Sequence, residues 1–190
     1  MIDKIKVVNK GCCVAIIAIL IPICVIGAWA LTGFIGSFFP MSPVEFAGVL
    51  LKVDIPEGTT VISDVYSESS FPTGDGHTWT VLQIPHEKVN EFAASLKASP
   101  FWKPLPLSPE LAEQQAYLQP TIMFGLDGTI PIKNATGYYF FVDRQEASNK
   151  KDNSQTYDTS IPFSKRDSLN YTFGLFNDRD GKLYVWSIDT

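Results

Sequence analysis

YTFGLFNDRDGKLYVWSI, residues 171–188, is the stretch on which the fold turns. Two runs rich in aromatic and β-branched residues, 171–177 and 182–188, flank Asp178-Arg179-Asp180-Gly181. A short Asp- and Gly-containing break between two such runs predicts a β-hairpin. GYYFFVDR, residues 137–144, carries apolar side chains on both alternations. That pattern predicts a strand covered on both faces, placed centrally in the sheet.

Working outward, Ala47–Ile55 reads as a first strand closed by Pro56-Glu57-Gly58, and Thr60–Ser67 as a second. Phe71–His77 is a turn cluster leading into His77–Ile84, which completes a hairpin with a Gly-rich loop. His86–Ala98 is the main predicted helix, because Val89, Phe92, Ala93 and Leu96 recur at helical spacing and form one apolar stripe. Phe101–Leu107 is an extended, Pro-rich connector expected to pack over the core edge. Ser108-Pro109 opens a short helix to about Leu118, as an N-cap with Pro in the first turn. Thr121–Ile132 is a weak strand signal interrupted at Asp127-Gly128, and the polar 145–160 segment is expected to be a mobile loop. The expected class is α+β: a mostly antiparallel sheet with the main helix on one face, over residues 47–190.

The last strands hold Tyr138 to Phe141, Tyr171, Phe173, Phe176, Tyr184 and Trp186. Alternation sends about half of them to each face of the sheet. The main helix covers one face. The other is expected to meet the second helix, the Trp102 connector or a partner, and covering from within the chain is favoured because exposed apolar patches are rare.

Ahead of this domain, no charged residue occurs between Lys10 and Glu45. Roughly 20 apolar residues span a hydrocarbon core about 30 Å thick, so Cys12–Phe39 is expected to be a transmembrane signal-anchor. Lys4, Lys6 and Lys10 precede it, which favours a cytoplasmic tail at 1–11, a stalk at 40–46 and an extracytoplasmic C-terminal domain. Ala28-Trp29-Ala30 is the competing signal, a cleavage pattern after which the chain would be secreted. The apolar residues that continue from Leu31 to Phe39 favour retention.

The whole chain carries −5, and its first eleven residues hold three Lys and one Asp, so the remainder carries −7. An acidic domain argues against nucleic acid and against lying on an anionic bilayer. All three cysteines, Cys12, Cys13 and Cys24, lie in or beside the apolar run, so the domain has no thiol for a disulfide or a nucleophile. Lipidation of Cys12 or Cys13 is outweighed by their use as small apolar helix residues.

No motif for chemistry stands out. His77 and His86 lack the third ligand and close spacing of a zinc site. Asp178-x-Asp180-Gly181 fails an EF-hand at both ends, with Phe176 and Ser187 where ligands belong. Gly74-Asp75-Gly76 lacks the Lys of a phosphate loop, and there is no Gly-x-Ser-x-Gly. The expected site is therefore non-catalytic, with no metal and no cofactor. Asp64, Asp75 and His77 are the alternative, as an envelope hydrolase of unfamiliar type.

One resemblance goes further. Gly74-Asp75-Gly76, Trp102 to Leu107, the Tyr138-Tyr139-Phe140-Phe141-x-Asp143-Arg144 strand and Leu183-Tyr184 before the terminal Asp189-Thr190 stand together. In these the chain resembles a group of small, uncharacterised membrane-anchored or secreted proteins of Firmicutes bacteria. Such relatives carry a His-Gly-Gly-Phe run before the Gly-Asp-Gly, where this chain has Ser69-Ser70-Phe71-Pro72. The resemblance implies a cell-envelope location and no particular activity. The expected function is a binding domain whose partner is an envelope protein or wall component.

Overall fold

The computed structural model describes residues 41–70, 75–120, 128–145 and 162–190, with the backbone alone at 67–70 and 75. The expected tail, the signal-anchor at 12–39, most of the 145–160 loop and residues 121–127 therefore lie outside the described residues. The chain divides into two compact units, Met1–Met41 and Ser42–Thr190. The fold below is that of the second. Among the described residues no helix is long and apolar enough to cross a membrane.

The elements are α1 (Pro43–Leu51), β1 (Thr60–Ser70), β2 (Asp75–Gln83), α2 (Val89–Ala98), β3 (Trp102–Pro104), α3 (Pro109–Glu113), β4 (Gly137–Asp143), β5 (Asn170–Asn177) and β6 (Lys182–Asp189). Single 3₁₀ turns stand at His86–Lys88, Gln115–Leu118 and Phe163–Lys165. The six strands form one sheet in the order β1-β2-β6-β5-β4-β3, with every neighbouring pair antiparallel. The architecture is α+β, as the patterning predicts.

The β5–β6 hairpin closes at Asp178–Gly181. Gly181 takes a left-handed φ of 68°, its N–H donates to the Asn177 carbonyl at 3.0 Å, and Asp180 Oδ1 accepts from the Lys182 N–H at 3.2 Å. Asp178 Oδ1 accepts from Thr136 Oγ1 at 2.5 Å. Both acids of the calcium-like triplet thus serve as turn fasteners.

Three expectations need correction. Ala47–Ile55 is not a strand, because α1 runs on to Leu51 and the first strand begins at Thr60. Ser42-Pro43-Val44-Glu45 is a capping box: Ser42 Oγ accepts from the Glu45 N–H at 3.2 Å, and Glu45 Oε2 accepts from the Ser42 N–H at 2.9 Å. The bonds that the Ser42 N–H and Ser42 Oγ donate to it hold the Glu45 carboxyl below the usual carboxylate value. Next, β4 lies one place in from the sheet edge, while β5 and β6 hold the middle. Finally, Trp102–Pro104 is not a mere connector but the edge strand β3, paired with Tyr138–Phe140.

Both faces of the sheet are covered. On the first, Ala47 and Leu51 of α1 and Phe92 and Leu96 of α2 pack on Leu82, Phe140, Phe176 and Val185. Gly174 makes room there, because a Cβ would stand 2.6 Å from Leu51 Cδ2 and 3.2 Å from the Trp102 ring. Trp102 Nε1 then donates to the Leu51 carbonyl at 3.2 Å, tying β3 to α1. On the second face, Leu107, Leu111, Leu118, Ile130 and Phe163 cover Trp79, Phe141, Tyr171, Phe173 and Trp186. Covering from within the chain is thus what the aromatic strands receive. Trp102 itself sits on the opposite face from Leu107.

Candidate functional site

Asp64 and His77 occupy neighbouring strands but opposite faces. Asp64 lies opposite Thr80 in the β1–β2 register, and its Oδ1 accepts from Thr80 Oγ1 at 2.6 Å. Alternation puts Thr80 on the face of Leu82, beneath α1. His77 shares the other face with Trp79, its ring centroid 5.9 Å from the Trp186 ring, and burial lowers its pKa below the ordinary histidine value. Asp75 sits two positions before His77 on β2, so its position belongs to the His77 face. The structure therefore brings neither His77 nor the Asp75 position to Asp64. His86 is exposed at the start of its 3₁₀ turn, beyond the far end of β2. Among the described residues no three His, Cys, Asp or Glu side chains are grouped to hold a metal ion.

The charged residues that end β4 are fasteners. Asp143 Oδ2 accepts from Arg166 at 2.6 Å, with the two side chains 0% and 5% exposed. Arg144 reaches across the sheet, donating from Nε to Asn170 Oδ1 at 2.7 Å, from Nη1 to Thr172 Oγ1 and to Ser187 Oγ at 3.0 Å, and from Nη2 to the Ile188 carbonyl at 2.7 Å. Burial pulls its guanidinium below the usual arginine value, opposed by Asp189 and Asp143. Tyr171, pushed far up by burial, donates to the Tyr117 carbonyl and accepts from Trp186 Nε1 at 2.8 Å. These contacts tie together the ends of β4, β5 and β6 that meet at Asp143, Asn170 and Ile188.

The open surface lies at the other end of the strand order. Val49 of α1 is 64% exposed, and Val61, Ile62, Val65 and Tyr66 of β1 are exposed as well. The Tyr66 ring meets Phe46 of α1 edge-on at 6.4 Å, which makes the patch continuous from helix to strand. A shallow groove of about 550 Å³ runs along the outer side of α1, between Val44, Val49, Val53 and Ile55, with Glu45 and Lys52 at its rim. A second, of about 440 Å³, lies between Gln115, Gln119, Ile130 and Ile132. There the Gln119 amide pairs with both the N–H and the carbonyl of Ile130, at 2.8 and 3.0 Å, and holds that wall in place.

Among the described residues β1 is also one of the two edges of the sheet. An edge strand presents unpaired backbone N–H and C=O groups, and proteins commonly blunt such edges with short strands, Lys or Pro. β3 has all three devices: three residues, including Lys103 and Pro104. β1 has eleven residues and neither Lys nor Pro. Its irregularities are register shifts between Val61 and Ser63 and between Ser67 and Ser70. Residue type alone marks Thr60–Ser67 as a strand rich in β-branched side chains. Its place at an edge depends on which strands pair, which local spacing does not encode. Comparison with known protein families, characterised proteins and solved structures finds no match.

Proposed function

We propose that the chain is a membrane-anchored, extracytoplasmic binding domain of the cell envelope, held by residues 12–39 and engaging a protein partner through α1 and the β1 edge. One observation carries the reading: the large exposed apolar side chains of Ser42–Thr190, among the described residues, gather on those two elements. The uncharged run Cys12–Phe39 and its basic flank support the anchor, and the resemblance to small Firmicutes envelope proteins supports the location. Acidic charge supports a protein or wall partner over nucleic acid. A long edge strand without Lys or Pro is a route to strand addition, in which backbone hydrogen bonds supply affinity and alternate side chains supply selectivity.

The test uses the full chain in intact cells, with a photo-reactive residue placed at Ile62, at Tyr66 or, as control, at the exposed Asn134 on the opposite side of the strand order. Adducts from Ile62 and Tyr66 but not from Asn134 are expected. Equal labelling from all three positions, or none from β1, overturns the binding surface. Separately, the full chain should stay with membranes through alkaline extraction while a chain beginning at Pro40 should not. Release of both removes the anchor.

A further inference from the structure

We propose that the strand which completes the β1 edge is β1 of a second copy of this chain, paired antiparallel about a two-fold axis through Val65. This rests on the reading of β1 as the binding edge and names the occupant. The two register shifts leave Ser63–Ser67 as the regular part of β1, and Val65 is its midpoint. A two-fold axis perpendicular to the sheet reverses the strand direction and preserves the faces, so residues of like parity meet. Centred on Val65, it sets Val65 opposite itself, Asp64 opposite Tyr66 and Ser63 opposite Ser67.

Charge selects this register over its neighbours. An axis at Asp64 sets the acid against its own copy, and an axis at Tyr66 sets Asp64 opposite Glu68. Like charges directly opposite are destabilising in an antiparallel pair, whereas apolar and hydroxyl pairs stabilise it. In the Val65 register each acid of the regular stretch faces a tyrosine. The exposed Val65 side chains meet on the face of Trp79, and the Tyr66 and Phe46 rings of both copies gather on the face of α1. The same axis keeps both α1 helices on one face of the joined sheet. By the same symmetry the two Ser42 residues that cap α1 lie at one height along the axis, which is compatible with two chains held in one bilayer.

The experiment uses the full-length chain with Cys12, Cys13 and Cys24 changed to Ser, expressed in membranes and treated with a mild oxidant. Val65→Cys is expected to give a disulfide-linked species of twice the chain mass. Ser63→Cys and Ser67→Cys are each expected to stay single, and to cross-link when the two variants are co-expressed. Cross-linking of Ser63→Cys with itself as readily as Val65→Cys overturns the register. A photo-reactive residue at Val65 separates the two levels of the argument. An adduct of twice the chain mass supports the second copy. An adduct of another mass overturns it and leaves the binding edge standing, and no adduct overturns both. Val65→Lys is expected to lower the detergent-corrected mass from two chains to one with its circular dichroism unchanged. A mass that stays at two chains in that folded variant overturns the pairing.

Discussion

The two edges of this sheet are built to opposite specifications. At β3 three residues, a lysine and a proline end the hydrogen-bonding ladder, and Trp102 is turned inward to donate to the Leu51 carbonyl. At β1 eleven residues run on without Lys or Pro, and apolar side chains stand in solvent. The strands nearest β3 are the most aromatic in the chain, yet they are sealed on both faces. The difference shows that exposure here follows strand order and not hydrophobicity. It also predicts that substitutions in the two halves will fail in different ways, the sealed half through stability and the open half through association.

The largest effect belongs to Asp143→Ala in the sealed half. It leaves the Arg166 guanidinium, 5% exposed over the Phe163 ring at 5.0 Å, without its carboxylate. Removing one partner of a buried ion pair costs about 3–5 kcal/mol. Denaturant unfolding of the full chain should show a loss of that order, and a loss below about 1 kcal/mol would mean that solvent reaches the pair. Gly174→Ala comes next. Its added Cβ meets Leu51 and Trp102 together, and overpacking of that kind costs about 1–3 kcal/mol. Because those two side chains join α1 to β3, the variant should also quench or shift Trp102 fluorescence. An unchanged unfolding midpoint would show that α1 is free to lift.

In the open half the expectation reverses. Val65→Lys should change the stability of the single chain, read by extrapolation to low protein concentration, by no more than about 0.5 kcal/mol, while abolishing association. The mirror experiment is Lys103→Val on β3. It should leave the association state unchanged, because Pro104 and the shortness of the strand still blunt that edge. Should Lys103→Val create a new oligomer, the lysine alone is the guard, and the contrast between the edges narrows to one residue.

Legibility in the sequence divides along the same line. The β5–β6 hairpin was readable because its turn is local, with Asp180 and Gly181 doing what those residue types do anywhere. The α2 stripe was readable for the same reason. α1 was not, although Ser42 and Glu45 spell a capping box, because FAGVLL at 46–51 is apolar without a period. The pairing of Asp143 with Arg166 and the reach of Arg144 to Ile188 link residues far apart in the chain. The covering of the second face by Leu107, Ile130 and Phe163 is likewise a matter of topology. Of the Asp64, Asp75 and His77 grouping, Asp64 and His77 stand on opposite faces through strand parity, which closeness in sequence does not reveal.

His77 offers the smallest effect and bears directly on that grouping. Its pKa is lowered in the fold by burial, with the Trp186 ring 5.9 Å away. A base whose folded pKa lies below its unfolded value of 6.5 binds more protons when unfolded, so the stability it confers is complete above that value. That contribution is lost as pH falls through 6.5 toward the lower folded value, and it is flat below it. The ring is half-buried, so the change is small and is best read as a difference between wild type and His77→Asn. From about pH 7.5 to about pH 5.5 the wild-type midpoint should fall more than that of the variant. If the wild type gains on the variant over that range, His77 holds its proton in the folded state and a carboxylate outweighs the effect of burial.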